Sequence, residues 1–255
     1  MDKSALITGA SGGLGRELAL ALARRGYRLF LHGRDESKLR ALAVELEPFT
    51  RPSLFCADLS DPAARSRFID NLLAESLPPR LVIHNAALLP AGEFPSLPAA
   101  EIESTFAVNL FTPAELTRRL CAASPAPEGV MFILSTAARF PQPYNSLYSA
   151  SKAGLRFLAE SLQVELAEKT RVCLVYPPLT ETPMTTRFTS PFPRANPLRV
   201  AEKIIRAYER GQNEITWLDW EIMPVLFYRL FPRLFRRLLK SQREMLGTMF
   251  KHKGH

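Results

Sequence analysis

The stretch TGASGGLGRELALALA, residues 8–23, decides the fold. Thr8, Gly9, Gly13 and Gly15 give the pattern T-G-x-x-x-G-x-G, with an apolar strand-like run before it and a helical pattern after it. Glycines at such a turn let the backbone approach a pyrophosphate, and the helix N-terminus supplies free N–H groups. We therefore expect a dinucleotide to bind at this turn. The alternative is an ordinary glycine-rich turn with no ligand.

Outward from this turn, short apolar runs alternate with longer helical patterns up to about residue 218. The candidate strands are SALIT (4–8), YRLFLH (27–32), SLFCA (53–57), RLVIHN (80–85), GVMFILS (129–135), RVCLVYP (171–177) and EITWL (214–218). Helical patterns lie near 13–25, 35–47, 61–76, 98–123, 146–169 and 197–210. This alternation predicts a parallel sheet, and the consecutive apolar positions within strands indicate helices on both faces. We predict an α/β doubly wound parallel sheet, a three-layer α/β/α Rossmann fold, over residues 1–218.

Length and composition agree with one large domain. The chain has 255 residues, of which 47% are hydrophobic and 23% charged, enough to bury a sizeable core. The first apolar run begins at residue 4, which leaves no room for a signal peptide, so we expect a cytoplasmic protein. Three widely spaced cysteines, Cys56, Cys121 and Cys173, suit buried free thiols, and we expect no disulfide and no metal site.

The net charge of +8 is concentrated at the C-terminal end. Residues 222–255 contain eight Lys or Arg against the single acid Glu244, a net +7 that leaves only +1 for residues 1–221. A nucleic-acid-binding domain needs a basic face on its folded body. The nearly neutral body therefore argues against nucleic acid as a partner.

The tail, residues 219–255, contains FYRLFPRLFRRLLK at 227–240, which reads as a basic amphipathic helical extension. Pro224 and Pro232 interrupt it, and its charges exclude a membrane span of about 20 apolar residues. Two interpretations stay open. The helices pack on the domain, over the substrate cleft or against a partner subunit, or they lie on an anionic membrane surface through 222–243, at the inner face of a membrane.

The end of the second strand indicates which dinucleotide binds. An acid there would bind the ribose 2′-hydroxyl of NAD, whereas an arginine accommodates the 2′-phosphate of NADP. This sequence has Gly33 followed by Arg34, and we expect the next residue, Asp35, to cap the following helix. The prediction is NADP(H) in preference to NAD(H).

Catalytic chemistry is indicated by LYSASKAGL, residues 147–155. Tyr148 and Lys152 are four apart, so both point from one face of a helix. A lysine ammonium beside a tyrosine is expected to lower the pKa of the phenol, which could then exchange a proton with a carbonyl or an alcohol. Ser135, at the end of the fifth candidate strand, would place a hydroxyl in the same crevice.

At this point the sequence resembles the classical short-chain dehydrogenase/reductase family over roughly residues 4–210. The matching features are TGASGGLG at 8–15, Asp58 in CADLS, HNAA at 84–87, Asn109 in FAVNL, Ser135, and Tyr148 and Lys152 in YSASK. The resemblance implies that Tyr148 is the general acid or base, that Lys152 tunes it, that Ser135 binds the substrate carbonyl, and that Asn109 belongs to a proton relay. Pro113 supports the role of Asn109, because a proline cannot donate to the carbonyl four residues before it.

The resemblance also implies a cofactor site and an oligomer, either a homodimer or a homotetramer. The expected cofactor-binding residues are Gly9, Ser11, Gly13, Leu14, Gly15, Arg34, Asp58, Leu59, Asn85, Ala86, Tyr148, Lys152, Pro177, Thr180 and Thr182. The sequence departs from the family at Ala87 and Pro178, where the family usually has glycine. We expect these departures to alter the shape of the cofactor site without removing a catalytic group.

The sequence therefore predicts an NADP(H)-dependent oxidoreductase that interconverts a carbonyl and a secondary alcohol. The proline-rich segment 176–197 should form a loop over the substrate, and its Phe188 and Phe192 favour an apolar or acyl, lipid-like small molecule. Arg187 and Arg194 would tolerate an acidic group on that molecule. The alternative is a non-catalytic NADP-binding protein, a membrane-surface or scaffold protein that retains the fold.

Overall fold

A computed structural model describes residues 3–190, 192–217 and 222–250. The expected boundary between residues 218 and 219 lies outside the described residues, and so do the last basic residues, 251–255. The tail begins again, within the described part, at residue 222.

The described chain forms a seven-stranded sheet in which all the strands are parallel. The strands are β1 (Ser4–Ile7), β2 (Arg28–Gly33), β3 (Ser53–Cys56), β4 (Leu81–His84), β5 (Gly129–Ile133), β6 (Arg171–Val175) and β7 (Glu214–Ile215). Their order across the sheet is β3-β2-β1-β4-β5-β6-β7. This order reverses direction between β1 and β4, which creates a crevice at the carboxyl ends of those strands. The predicted doubly wound sheet is confirmed.

Helices cover both faces of the sheet. The helices of the body are α1 (Gly13–Ala23), α2 (Glu36–Leu46), α3 (Pro62–Leu73), α4 (Ala99–Phe106), α5 (Thr112–Ala122), α6 (Ser146–Glu165) and α7 (Pro197–Glu209). Apolar residues of α1, α2 and α7 form one core with one side of the strands, while α3, α5 and α6 form a second core on the other side. Alternate strand residues supply the two cores, as Leu6 and Ile7 do from β1.

The helix expected over 98–123 is three segments. A π-helical segment, Ala107–Phe111, separates α4 from α5. Pro113 has no N–H to give to Asn109, so the regular pattern fails at this point. Thr112 donates both its backbone N–H and its hydroxyl to the carbonyl of Ala107, the latter at 2.8 Å. The proline thus turns a uniform helix into one with a local widening at Asn109.

The cysteines are free, as expected, but they are not all buried. Cys173 lies inside the sheet, whereas Cys56 is exposed. The expectation of a packing role is wrong for Cys56, because β3 is an edge strand whose residues alternate between half-buried and exposed. The run SLFC resembles an interior strand in composition only.

Residues 222–250, the described part of the tail, fold as three short helices, α8 (Ile222–Leu230), α9 (Pro232–Ser241) and α10 (Arg243–Phe250). Pro232 interrupts the segment as expected, since α8 ends at Leu230 and Pro232 begins α9, whereas Pro224 lies in the first turn of α8 and does not interrupt it. The side chain of Phe235 is buried, and its ring lies 5.6 Å from that of Phe140 on the catalytic body. The amphipathic C-terminal extension is confirmed, and one of its faces packs on the domain. None of the helices within the described ranges has the length and hydropathy to cross a membrane.

Candidate active site

A large cavity of about 960 Å³ runs along the carboxyl ends of the strands and continues under the tail. The residues expected from sequence that line it are Gly9, Ser11, Gly13, Leu14, Arg34, Asp58, Leu59, Asn85, Ala86, Ser135, Tyr148, Lys152, Pro177, Thr180 and Thr182. Gly15 and Asn109 do not line it, and each instead supports a part of its wall. The structure thus brings together the two groups of residues that were expected at the cofactor and at the reacting carbonyl.

The glycines of the first turn stand where backbone segments approach too closely for side chains. A Cβ on Gly15 would lie 2.2 Å from the carbonyl oxygen of Gly9, and one on Gly13 would lie 2.6 Å from Cβ of Thr182. Gly9 also has a φ of +65°, a conformation that favours glycine. The turn is therefore a tight cradle whose shape depends on the absence of side chains.

Two polar side chains hold this cradle against the neighbouring strand. The Thr8 hydroxyl accepts hydrogen bonds from the N–H groups of Asn85 at 3.0 Å and Ala86 at 3.1 Å. The Asn85 amide in turn donates to the carbonyls of Thr8 and Gly9, both at 3.1 Å. Asn85 thus fixes the glycine turn from behind and also lines the cavity.

The cradle fits the pyrophosphate of a dinucleotide. No side chain caps α1 at Gly12, so the N–H groups of its first turn remain available to an anion. Gly9, Gly12 and Gly13 all border the cavity at this point. The residues present, and the space that the missing Cβ atoms leave, match what such a cofactor requires.

The far end of the cavity is bordered by Arg34 and Asp58. Arg34 is exposed and forms no ion pair within the described part of the chain. The pKa of Asp58 is lowered, first by the Ser60 hydroxyl at 2.6 Å and also by the charge of Arg34. Asp35 accepts the backbone N–H of Lys38 at 3.1 Å, so it caps α2 as expected. Of the neighbours Arg34 and Asp35, it is therefore the arginine that remains available to a ligand.

His32 is buried beside this end, where its ring contacts both the glycine turn and the segment after β3. One ring nitrogen, Nδ1, accepts the N–H of Gly9 at 3.4 Å, and the other, Nε2, lies 3.1 Å from the carbonyl of Ala57. Burial lowers the pKa of His32 to about 4, with the Ala57 carbonyl opposing this shift. His32 is therefore packed and hydrogen-bonded, and its contacts support the cavity wall.

Tyr148 and Lys152 lie one turn apart on α6, and both are buried. Lys152 Nζ donates to the carbonyl of Ile133 at 2.7 Å and lies 5.8 Å from the centre of the Tyr148 ring. The expected lowering of the Tyr148 pKa is not seen in the protein alone. Burial raises it to about 12, against an opposing hydrogen bond with Ser135, and burial lowers the pKa of Lys152 to about 8. Burial is the largest cause of the raised Tyr148 pKa, because it disfavours the charged phenolate.

Asn109 lies behind the cavity wall at the π-helical segment and is fully buried. Its Oδ1 accepts the N–H of Leu88 at 2.7 Å, and its Nδ2 donates to the carbonyl of Leu88 and to the Ser151 hydroxyl, both at 2.9 Å. Ser151 then donates to the carbonyl of Tyr148 at 2.8 Å. The side chain of Asn109 therefore positions Leu88 and α6, and the relay role expected for its backbone carbonyl stays a prediction.

The other half of the cavity is lined mainly by apolar residues from two segments. The loop after β6 contributes Met184, Phe188 and Phe192, and the tail contributes Met223, Phe227, Phe235, Leu238, Leu239 and Leu246. Arg194 of the loop also borders it and donates to the carbonyl of Phe188 at 2.6 Å. The tail is thus a wall of this half of the cavity, which corresponds to the first of the two interpretations open at the sequence level.

Sequence reasoning missed several lining residues. Gln142 and Asn145 lie in the loop before α6, and no spacing or charge pattern marks them. The tail residues were recognised as apolar, but their position over the cavity depends on tertiary packing. Among the described residues, no group of three or more His, Cys, Asp or Glu is placed to hold a metal ion.

Comparisons with known proteins agree with this geometry. The model of the family described as short chain dehydrogenase matches residues 3–191. Similar proteins include 3-dehydrosphinganine reductase TSC10A of Arabidopsis thaliana, 32% identical over 190 residues that cover 71% of this chain and 57% of that protein. Another is a very-long-chain 3-oxoacyl-CoA reductase of Phaeosphaeria nodorum, 33% identical over 171 residues that cover 64% of this chain and 50% of that protein. The chain thus spans about half the length of these curated relatives.

A solved structure shows the same fold over the whole chain. The short-chain dehydrogenase from Sphingobium yanoikuyae in complex with NADPH is 25% identical, with a TM-score of 0.78, and the match covers 99% of this chain and 98% of that one. Together with the family model, which spans most of the sequence, it leaves one assignment. The chain belongs to the short-chain dehydrogenase/reductase family.

Proposed function

We propose that the protein is an NADP(H)-dependent oxidoreductase that interconverts a carbonyl and a secondary alcohol. The observation that carries this proposal is the convergence of Ser135, Tyr148 and Lys152 on the cavity that the glycine cradle also borders. A bound nicotinamide dinucleotide would supply or accept the hydride. The names of the relatives, which are reductases of ketone-bearing compounds, support the same class of reaction.

The chain's own residues handle the proton. With a pKa of about 12, Tyr148 is protonated at neutral pH and can donate its phenolic proton to an oxygen that gains charge during reduction. Lys152, whose pKa of about 8 leaves it mostly protonated at neutral pH, stabilises the resulting phenolate. Ser135 holds the substrate oxygen beside Tyr148, with which it already shares a hydrogen bond.

We test this with NADPH oxidation over a panel of carbonyl compounds, comparing the wild type with Tyr148→Phe. The variant should lose at least about 100-fold in kcat, because a general acid is removed without a change of shape. NADPH affinity, measured by fluorescence titration, should change little. Equal turnover by the two proteins would refute the mechanism, and no turnover by either would favour the non-catalytic alternative.

The cofactor is NADP(H) in preference to NAD(H). Support comes from Arg34, which borders the cavity and forms no ion pair among the described residues, while Asp35 is occupied as a helix cap. Arg34→Asp should lower the ratio of kcat/KM for NADPH to that for NADH by about 100-fold, since a charge-assisted contact becomes a repulsion. A ratio that does not change would defeat the assignment.

The substrate is an apolar, acyl or lipid-like molecule. The apolar wall formed by the loop and the tail supports this, as do the names of two relatives, which refer to a sphinganine and to very-long-chain acyl compounds. A series of methyl ketones of increasing chain length measures it. The value of kcat/KM should rise with each added methylene until the cavity is filled, by about three- to fourfold per group. A value that does not depend on chain length would refute this assignment.

The protein is a homodimer or homotetramer in this proposal. Exposed Phe111, Phe157 and Val164, on or beside α5 and α6, leave apolar surface that a second subunit could cover. Light scattering measures the molar mass in solution. A monomer at micromolar concentration would contradict the proposal.

The tail also holds the enzyme on an anionic membrane surface through 222–243, while the rest of the protein stays in the cytoplasm. The outer face of α8 and α9 exposes Leu226, Leu230, Phe231 and Leu234, while Arg229, Arg233, Arg236, Arg237 and Lys240 form no ion pair within the described ranges. Apolar side chains beside unpaired cations suit an anionic lipid interface.

Cosedimentation with vesicles that contain phosphatidylserine tests this surface. Replacing Arg233, Arg236 and Arg237 together by Gln should reduce binding by about 100-fold, because each basic residue near the surface contributes about 1 kcal/mol. The matched control replaces three exposed, unpaired arginines of the body, Arg51, Arg67 and Arg118, by Gln. Equal binding by both variants would remove the membrane from the proposal.

A further inference from the structure

Two carboxamide side chains interrupt the apolar wall beside Tyr148. Asn145 Nδ2 donates to Gln142 Oε1 at 3.2 Å, and both residues line the cavity. Asn145 lies three residues before Tyr148, at the start of α6, so it neighbours the catalytic phenol along the helix. This pair is a polar spot in a region otherwise formed by apolar side chains.

The pair has unused hydrogen-bonding capacity. Asn145 is only 4% exposed, and its Oδ1 has no hydrogen-bond partner among the described residues. Within the pair, Gln142 uses only its amide oxygen. Its amide nitrogen makes no hydrogen bond with the described residues. A buried acceptor without a partner destabilises a fold, so such groups are few and call for an explanation.

Local structure does not explain the asparagine. Asparagine at the start of a helix usually caps the first turn with its side chain. Asn145 occupies that position, but its side chain makes no capping hydrogen bond and turns to Gln142 instead. The backbone of Asn145, which accepts the N–H of Ser149 at 3.0 Å, would do the same with another residue in its place.

One neighbouring feature shields the pair from bulk water. The ring of Tyr144, the residue before Asn145, packs on α10 at Gly247, where an added Cβ would lie 3.2 Å from it. Tyr144 also has a φ of +63° and accepts the N–H of Gly92 at 2.8 Å. The tail therefore closes over this loop, and the pair faces the substrate space instead of open solvent.

We propose that Gln142 and Asn145 form a hydrogen-bonding subsite for a hydroxyl group that the substrate carries close to its reacting carbonyl. An acceptor and a donor stand side by side, and a hydroxyl is the simplest group that can donate to one and accept from the other. The substrate class is thus a hydroxy ketone with an apolar chain, and its reduced product is a diol. This inference rests on the proposed function, since the carbonyl is the one reduced beside Tyr148.

The test compares ketones that differ only in the hydroxyl. Methyl and ethyl nonyl ketone are the plain probes, and hydroxymethyl and 2-hydroxyethyl nonyl ketone are their hydroxylated counterparts. The wild type should reduce at least one hydroxylated probe with a kcat/KM about tenfold or more above its plain counterpart, because a site built to bind a hydroxyl discriminates against its absence. Asn145→Leu should remove this preference and leave the plain ketone within about threefold.

Two further variants make the result decisive. Gln142→Leu, at a half-buried position, should reduce the preference in the same direction even if Asn145→Leu folds poorly. Gln163→Leu is the matched control, because its amide donates to Val172 and Asn213 and does not line the cavity. No preference in the wild type, or an equal loss on both kinds of ketone in the variants, would overturn the subsite.

A binding measurement separates this inference from the reductase mechanism. Calorimetry with the NADP-loaded protein compares the diols derived from the hydroxymethyl and the hydroxyethyl ketone with the plain secondary alcohols of the same chain lengths. Tighter binding of at least one diol, lost in Asn145→Leu, supports the subsite even if no ketone is turned over. Equal affinities of both diols and their plain alcohols would overturn it.

Discussion

The two ends of the cavity owe their shape to different kinds of contact. At the cofactor end, close backbone contacts and hydrogen bonds between neighbouring strands fix the shape, as Thr8 and Asn85 do around the glycine turn. At the substrate end, apolar side chains from a loop and a tail meet over open space, anchored by Phe235. The cofactor end therefore tolerates almost no added side-chain atoms. At the substrate end, one apolar residue can replace another and so select different substrates.

The strongest way to break this comparison is Gly15→Ala. The added Cβ would lie 2.2 Å from the Gly9 carbonyl oxygen, so the turn must shift and NADPH affinity should fall more than about 100-fold. Gly154→Ala is the control, because this glycine of α6 does not line the cavity and its added Cβ would approach nothing more closely than the end of the Leu110 side chain, at 3.2 Å. Fluorescence titration measures both. Similar affinities for the two variants would show that the cradle is not rigid.

A pH experiment probes the same rigid end through His32. Its pKa is about 4 in the folded protein against 6.5 ordinarily, so the unfolded chain takes up a proton between these values while the folded protein does not. The contribution of neutral His32 to the stability of the fold is therefore fully present above pH 6.5 and is lost as the pH drops towards 4. Over this pH interval, the free energy of unfolding of His32→Asn should fall by about 3 kcal/mol less than that of the wild type, as measured by urea unfolding. Parallel pH profiles would contradict the buried, neutral state of His32.

At the substrate end, Phe235→Ala should change selectivity and leave the cofactor alone. The ring contacts Phe140, Phe227 and Tyr228, so its loss loosens the tail over the apolar wall. The KM for long-chain ketones should rise by about tenfold, while NADPH affinity stays within about twofold. The control is Phe231→Ala, which removes a ring that is 54% exposed and does not line the cavity. A matching loss of NADPH affinity would show that the two ends are coupled.

The smallest expected effect concerns Asp35. Three hydrogen bonds, first from Ser37 and then from the backbone and side chain of Lys38, lower its pKa to about 2. As a helix cap and not a cofactor ligand, it should affect stability alone. Asp35→Ala should lower Tm by a few degrees and leave the NADPH to NADH ratio unchanged. A changed ratio would mean that Asp35 contacts the cofactor.

Most of the cofactor end could be predicted from the sequence because its constraints are local. The glycine spacing, Arg34 after a strand and the pair formed by Tyr148 and Lys152 each lie within a few residues. The structure corrected one inference there, since burial raises the pKa of Tyr148 where the nearby lysine was expected to lower it. Burial is a property of the folded molecule, and the spacing of two residues does not report it.

The substrate end could be predicted only in outline. The apolar stripe and the charges of the tail were visible in the sequence, but the packing of Phe235 on Phe140 joins residues almost a hundred positions apart. The π-helical segment at Asn109 appeared as an ordinary helix with a proline, because its widening depends on where the Ala107 carbonyl finds its partner. Asn145 could not be found at all, since its significance lies in the absence of a hydrogen bond.

The central claim is that Tyr148 serves a hydride transfer in this cavity, and isotope transfer measures it most directly. NADPH carrying deuterium at the transferable position of its nicotinamide ring is incubated with a long-chain ketone, and the alcohol is analysed by mass spectrometry. The account predicts that the wild type forms alcohol with deuterium on the carbinol carbon and that Tyr148→Phe forms almost none of this labelled alcohol at the same NADPH occupancy. An alcohol without deuterium, or equal amounts of labelled alcohol from the two proteins, would contradict it.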